Sequence, residues 1–190
     1  MKILQYEIGG ISNKVNIAEF VVMENYKHHN KCFNTFDNIE KEVIEMYEED
    51  RKYENSKIFV SLDSSEQIVG TIRVIKWNYT DILPIHKLFN INPINFITNT
   101  SYNIWHIGRF AIKKGVNNNL FKSLLVSAIK EVCQEESSIA LAECDAKLLR
   151  VLKILGIEPI VLGDSMHYLG SETIPVLFTY KTLKSFLDRV

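Results

Sequence analysis

The stretch Trp105-His106-Ile107-Gly108-Arg109-Phe110-Ala111-Ile112 sets an imidazole, a glycine and a guanidinium close together on a segment with the β-branched and aromatic character of a strand. An imidazole, with an ordinary pKa near ~6.5, is the side chain best suited to accept a proton at neutral pH. His106 is therefore a candidate base, and its other reading is a hydrogen-bonded polar residue on a strand. A second guanidinium, Arg73, lies in Ile68-Val69-Gly70-Thr71-Ile72-Arg73-Val74. Arg73 and Arg109 could hold a carboxylate in forked geometry, or either could pair with an internal carboxylate such as Glu49, Asp50 or Glu143. Glu49 and Asp50 close a helical stretch, where the helix dipole disfavours negative charge, so a purpose beyond the helix is one reading. With Glu45 and Glu48 they also read as a solvated acidic face. After Ile112 the chain runs through Lys113-Lys114-Gly115-Val116-Asn117-Asn118-Asn119 into a long helical stripe, and a loop at a helix N-terminus offers backbone N–H groups to an anion. Lys113, Lys114 and Lys122 would attract a phosphate or an acidic protein there, or are plain solvated surface.

Periodicity gives the elements that must position these residues. A short strand opens the chain. Asn13 to about His29 carries Val15, Ala18, Val21, Val22 and Tyr26 at helical spacing, and a second helix runs from Asp37, with Glu40 as a capping-box partner, to about Asp50. Lys57–Leu62 and Gln67–Lys76 read as a hairpin joined by Asp63-Ser64-Ser65-Glu66. The connection from Trp77 to Asn103 is long enough to require a short helix or a covering role over a site. Ile104–Ile112 is a strand, and Leu120, Phe121, Leu124, Leu125, Ala128, Ile129 and Val132 form a regular helical face. Strand Ser138–Ala142, helix Asp145–Leu155 closed by Gly156, strands Glu158–Leu162 and Thr173–Tyr180 and a terminal helix complete the order. This alternation predicts an α/β fold of the α+β kind, a central twisted mixed sheet with helices on both faces, in one domain over residues 1–190.

Composition bounds the partners. The 190 residues are 46% hydrophobic, and 22 Lys and Arg stand against 23 Asp and Glu, so no net field attracts a nucleic-acid backbone. No run approaches a membrane span and the start lacks a signal-peptide pattern, which predicts a cytoplasmic protein. Cys32, Cys133 and Cys144 show neither CxxC nor zinc-like spacing, and His28 and His29 read as a solvated helix end, so no metal is expected. Cys133 fits a buried helix face, with a catalytic thiol as its other reading.

Several segments together resemble the acyl-homoserine-lactone (autoinducer) synthases and the related N-acyl amino acid synthases of the GNAT superfamily. Val69-Gly70 through Arg73 is similar to that family's Val-Gly-x-x-Arg strand. Trp105 through Val116 resembles its Trp-Glu-x-Ser-Arg-Phe-Ala-Val strand. Arg150-x-Leu-x-x-x-Gly156 and the stretch with Leu162-Gly163, Gly170 and Pro175 are similar to its last third. The chain departs from the family in having His106 for its Glu and Gly108 for its Ser, which turns the reading away from a homoserine-lactone product. Gly108-Arg109 also resembles the ornithine-lipid type of N-acyltransferase, which broadens the acceptor to amino acids.

The resemblance implies a GNAT-like fold and transfer of an acyl chain from a CoA or acyl-carrier-protein thioester to the amine of a small acceptor. It implies no permanently bound cofactor, with acyl-CoA or an acyl-phosphopantetheine carrier as co-substrate and the carrier protein as a candidate partner. In that frame His106 takes the amine proton and the strand at Gly108 supplies main-chain donors to the oxyanion. Arg73, Arg109, Glu49 and Asp50 meet the acceptor, and Trp105, with Trp77, Phe89 and Phe96, lines an acyl channel. Phe110, Ile112, Lys113, Lys114, Gly115, Asn117, Asn118 and Asn119 flank the pantetheine and phosphate site. Acetyl-CoA enzymes of the superfamily carry Arg/Gln-x-x-Gly-x-Gly/Ala there, whereas Gly115 is followed by Val116 and three Asn residues. A carrier-tethered arm thus fits at least as well as CoA. The alternatives are a short-chain acetyltransferase using acetyl-CoA and a non-catalytic acyl-binding module of the same fold.

Overall fold

A computed structural model describes residues 2–7, 14–28, 36–96, 102–116, 118–168 and 171–190. His29, Cys32, Asn117 and Gly170 lie outside the described residues. The elements are β1 (Lys2–Glu7), α1 (Lys14–His28), α2 (Phe36–Asp50), β2 (Ser56–Leu62), β3 (Ile68–Lys76), α3 (Pro84–Phe89), β4 (Asn103–Ile112), α4 (Asn118–Val132), β5 (Ser138–Asp145), α5 (Ala146–Ile154), β6 (Ile160–Val161), β7 (Met166–Tyr168), β8 (Ser171–Thr179) and α6 (Tyr180–Leu187). The strands hydrogen-bond in the order β1-β2-β3-β4-β5-β8-β6, and β7 pairs with β8. The sheet is mixed: β4 and β5 run parallel, while β1 with β2 and β8 with β5, β6 and β7 run antiparallel.

The chain divides into two compact units, one of residues 1–73 with 109–127 and one of residues 74–108 with 128–190. In the first unit, Ala18, Val21 and Val22 of α1 are buried, on the face their helical spacing predicts, and Ile17 of α1 and Val43 and Met46 of α2 are buried with them. Tyr26 donates its hydroxyl to Glu42 at 2.7 Å, which joins the two helices. Gly70 on β3 is where α4 comes closest. A Cβ there would lie 2.7 Å from Leu124 Cδ1 and 3.0 Å from Leu120 Cδ2, and both leucines are fully buried.

β4 contains a bulge. From Trp77 back to Val69 is eight residues on β3, yet the bonds from Trp77 N to Ile104 O and from Lys113 N to Val69 O span nine residues on β4. One residue is therefore extra on β4. Arg109, with φ of 53°, has the left-handed backbone that such a bulge uses, at a cost of about 1–2 kcal/mol for a non-glycine residue.

In the second unit, Asp145 caps α5 by accepting the Leu148 N–H at 2.8 Å, as its sequence position predicts. Gly156, with φ of 73°, closes the helix, and Arg189 donates to the Leu155 carbonyl at 3.0 Å. The long connection does hold a short helix, α3, and it is pinned down by fully buried Leu83 and Ile85 and by Trp77 Nε1 donating to the Asp81 carbonyl at 2.8 Å. The strand expected over Glu158–Leu162 shrinks to Ile160–Val161. Leu162 N–H still reaches the Pro175 carbonyl at 3.0 Å, but proline has no N–H to return, so the ladder stops. The face of Pro175 toward β5 loses nothing, because residues whose carbonyl points to one neighbour do not bond the other.

Candidate active site

Two constellations and one loop contain the residues singled out from the sequence. The first constellation centres on Asp50 at the C-terminus of α2. Arg109 donates Nε at 3.0 Å and Nη2 at 2.8 Å to Asp50 Oδ1, and Arg73 Nη1 donates to the same oxygen. Both guanidinium groups thus meet an internal carboxylate, one of the partners considered for them. Burial pushes the Asp50 carboxyl up, but the charges of Arg73 and Arg109 and their hydrogen bonds outweigh it and hold the group below its ordinary value. Arg73 is 1% exposed and its guanidinium lies 5.3 Å from the centre of the Tyr53 ring. Tyr53 donates its hydroxyl to Glu49 at 2.6 Å, so Glu49 joins the same network through a phenol. Burial, followed by the Glu49 hydrogen bond, pushes the Tyr53 hydroxyl well above its usual range. The bulge serves this network: Thr71 Oγ1 donates to the Arg109 carbonyl at 2.8 Å and fixes the residue whose side chain reaches Asp50.

The second constellation pairs His106 with Glu143. His106 is 1% exposed, and its Nε2 lies 3.0 Å from each Glu143 carboxylate oxygen. Register explains the meeting. His106 stands opposite Leu141, and Glu143 is two residues further on the same face of β5. With the carboxylate ionised and the imidazole neutral, Nε2 donates to Glu143 and the lone pair falls on Nδ1. Among the described residues Nδ1 is buried without a hydrogen-bond partner. The parallel ladder runs from Asn103 opposite Ser138 to Ile107 opposite Ala142, and Gly108 is the first β4 residue past its end. Trp105 points to the opposite face from His106 by strand alternation, and Lys76 Nζ stands 5.7 Å from its ring centre. Sequence reasoning set Glu143 beside the arginines as a possible ion pair only. Its signal was a carboxylate near the end of the otherwise apolar run Ile139-Ala140-Leu141-Ala142.

The loop after β4 is tied down on both sides. Phe110 packs on Phe121 with ring centres 4.9 Å apart. His28 Nε2 donates to the Ile112 carbonyl at 2.9 Å, so this solvated helix-end histidine has a structural contact. The Lys114 N–H donates to Glu24 at 3.0 Å, Gly115 has φ of 88°, and Asn118 and Asn119 open α4, where the Asn119 carbonyl accepts from Ser123 Oγ at 2.9 Å.

Of the remaining candidates, burial pushes the Cys133 thiol up to about 11 and the Cys144 thiol higher, which makes both poor nucleophiles. No cluster of three or more His, Cys, Asp or Glu side chains suited to a metal ion occurs among the described residues. No helix among them is long and apolar enough to cross a membrane. An open depression of about 540 Å³ lies on α5, lined by Ala146, Leu149, Arg150, Lys153, Ile154 and Ile174, and holds none of the candidate residues.

No protein-family model and no curated protein matches the sequence. Solved structures do match in three dimensions. The chain is similar to FeeM, an N-acyl amino acid synthase from uncultured soil microbes, with a TM-score of 0.69 at 12% identity over 97% of this chain and 98% of that one. It is similar to BjaI, a CoA-dependent acyl-homoserine lactone synthase solved with SAM and isopentyl-CoA, with a TM-score of 0.64 at 14% identity over 98% and 87%. An acyl-CoA N-acyltransferase from Pseudomonas aeruginosa gives 0.57 at 8% identity over 94% and 100%. The fold is thus the GNAT-like α/β fold of N-acyltransferases, as the strand motifs implied.

Proposed function

We propose that this chain is an N-acyltransferase that moves an acyl group from a CoA or acyl-carrier-protein thioester to the amine of a small acceptor, with an amino acid as the acceptor class. The observation that carries the reading is the buried His106–Glu143 pair with a lone pair left on Nδ1, placed where the β4–β5 ladder ends. An ammonium group cannot attack a thioester. His106 accepts its proton, and Glu143 holds the ring in the required tautomer and stabilises the imidazolium that forms. The amine nitrogen then forms a bond to the thioester carbonyl carbon. Negative charge passes to the carbonyl oxygen, and main-chain N–H groups from Gly108 onward are the donors proposed for it. Collapse breaks the carbon–sulfur bond, the thiolate takes the proton from the imidazolium, and the imidazole so freed takes the second proton from the nitrogen and releases it to water, which leaves a neutral amide and a free thiol.

Arg109 and Arg73 serve the acceptor through their charge. Both guanidinium groups stand at the Asp50 end of α2, and a charge-assisted hydrogen bond from this pair is the contact proposed for a second carboxylate, that of an amino acid. Arg109 is the better placed of the two to meet it, since its side chain is 13% exposed against 1% for Arg73.

The test offers acyl-CoA and acyl-carrier protein of several chain lengths together with a pool of amino acids, and seeks new N-acyl products by mass. An N-acyl amino acid formed by the native chain and lost in His106→Gln supports the reading. Thioester bound without release of free thiol, in every combination, overturns it in favour of a binding module.

A further inference from the structure

Glu24 is a buried carboxylate for which the transfer chemistry has no use. It sits on α1, 2% exposed, with Oε2 accepting the Lys114 N–H at 3.0 Å and Oε1 taking Lys27 Nζ at 2.6 Å. Lys114 belongs to the loop between β4 and α4, where amides and a helix N-terminus would otherwise meet a diphosphate. Two further amides of the segment are engaged as well. The Lys113 N–H donates to the Val69 carbonyl at 2.9 Å and the Val116 N–H to the Lys113 carbonyl at 3.2 Å. His28 adds a second tie from α1, to the carbonyl of Ile112. A diphosphate approaching this loop would meet a negative side chain where it needs a donor. Taking the Lys114 N–H for itself would leave the Glu24 carboxylate buried with one oxygen unsatisfied.

We infer that Glu24 is a specificity-determining residue that closes the β4–α4 loop to the diphosphate of a nucleotide thioester and so turns the enzyme away from acyl-CoA. The favoured donor is one whose pantetheine arm ends in a single phosphate, the form in which the arm is carried on a protein. This deepens the proposed function and rests on that reading of the chain as a thioester-using transferase. The missing second glycine of the loop fits the same device, since a chain that does not cradle a diphosphate needs no close backbone approach there.

The experiment measures binding by calorimetry to the full chain, without an amine acceptor, for acyl-CoA and for acyl-phosphopantetheine carrying the same acyl chain. Glu24→Gln keeps an acceptor for the Lys114 N–H and removes the charge. Its expected gain for acyl-CoA exceeds any change for acyl-phosphopantetheine by about five- to tenfold, the effect of removing one like charge from a partly buried site. Lys27→Met works in the opposite direction, leaving Glu24 without its counter-charge, so it should weaken acyl-CoA further. This second variant keeps the test decisive if Glu24→Gln melts at the assay temperature. Acyl-CoA bound by the native chain as tightly as acyl-phosphopantetheine, or the absence of a selective gain in Glu24→Gln and of a selective loss in Lys27→Met, overturns the inference and leaves the transferase reading intact. Failure of both donors to bind any of the three chains overturns both.

Discussion

His106 and Glu143 meet across two parallel strands at 3.0 Å, and the pair makes a sharper statement than either residue alone. A base working without Glu143 would have to choose its own tautomer, whereas the carboxylate leaves Nδ1 as the atom with the lone pair. Replacing the imidazole by an amide keeps the bulk and removes the proton acceptor. His106→Gln should lower kcat/KM by about 10²- to 10⁴-fold and abolish the acidic limb of the pH–rate profile. Glu143→Gln should give a smaller loss with the limb displaced. Retention of the native profile in His106→Gln would remove the histidine from the chemistry. Arg109 carries a separate expectation. Arg109→Lys keeps the charge but not the fork, so KM should rise about tenfold for an amino-acid acceptor and much less for its amide. Equal rises for the two acceptors would return Arg109 to a purely internal role with Asp50. The sequence singles out these residues and includes Asp50 among the carboxylates either arginine could meet, but it does not assign the pairs. Nothing local says that Arg73 and Arg109 converge on Asp50 while Glu143 goes to His106, because that division depends on which strand lies beside which.

At the scale of elements, the packing of α4 on β3 depends on what is absent at Gly70. Leu120 and Leu124 occupy the volume a side chain would need, so Gly70→Ala must push two fully buried leucines off their rotamers. The expected cost is about 1–3 kcal/mol, read as a lower urea midpoint with an unchanged slope. A midpoint within error of the native chain would mean that the leucine termini have room to move. The helices of the chain were legible because a repeating apolar face on a capped segment leaves little choice, as in α4 and in α5 with its Asp145 cap. The bulge at Arg109 was not, because its cause lies in the register with β3 and a left-handed arginine has no sequence signal. The truncation of β6 and the added strand β7 escaped for a related reason. Both are decided by pairing with β8: β6 stops at Pro175, and β7 is three residues paired with the start of β8, too short for a periodicity to show.

For the molecule as a whole, the mixed order of strands followed from alternation of helix and strand along the chain, and the GNAT-like fold followed from motif order. Its stability should depend on pH through one group above the rest. Asp50 is held below its ordinary value in the folded chain, so the folded state releases its proton more readily than the unfolded state does. The stability this contributes is fully present above the unfolded value, near ~3.9 for an aspartate, and is lost as pH falls through the lower folded value. Removing the charge while keeping the shape isolates that contribution. Asp50→Asn leaves Arg73 and Arg109 facing an amide, with Arg73 1% exposed, and breaking such a buried pair by removing one partner typically costs about 3–5 kcal/mol. Urea midpoints should therefore differ between the native chain and Asp50→Asn at pH 7, stay separated down to about pH 4 and converge below it as the native carboxylate takes up its proton. A separation that persists undiminished in acid would show that the loss comes from packing around the amide, and the ion network would then have no hold on the stability of the chain.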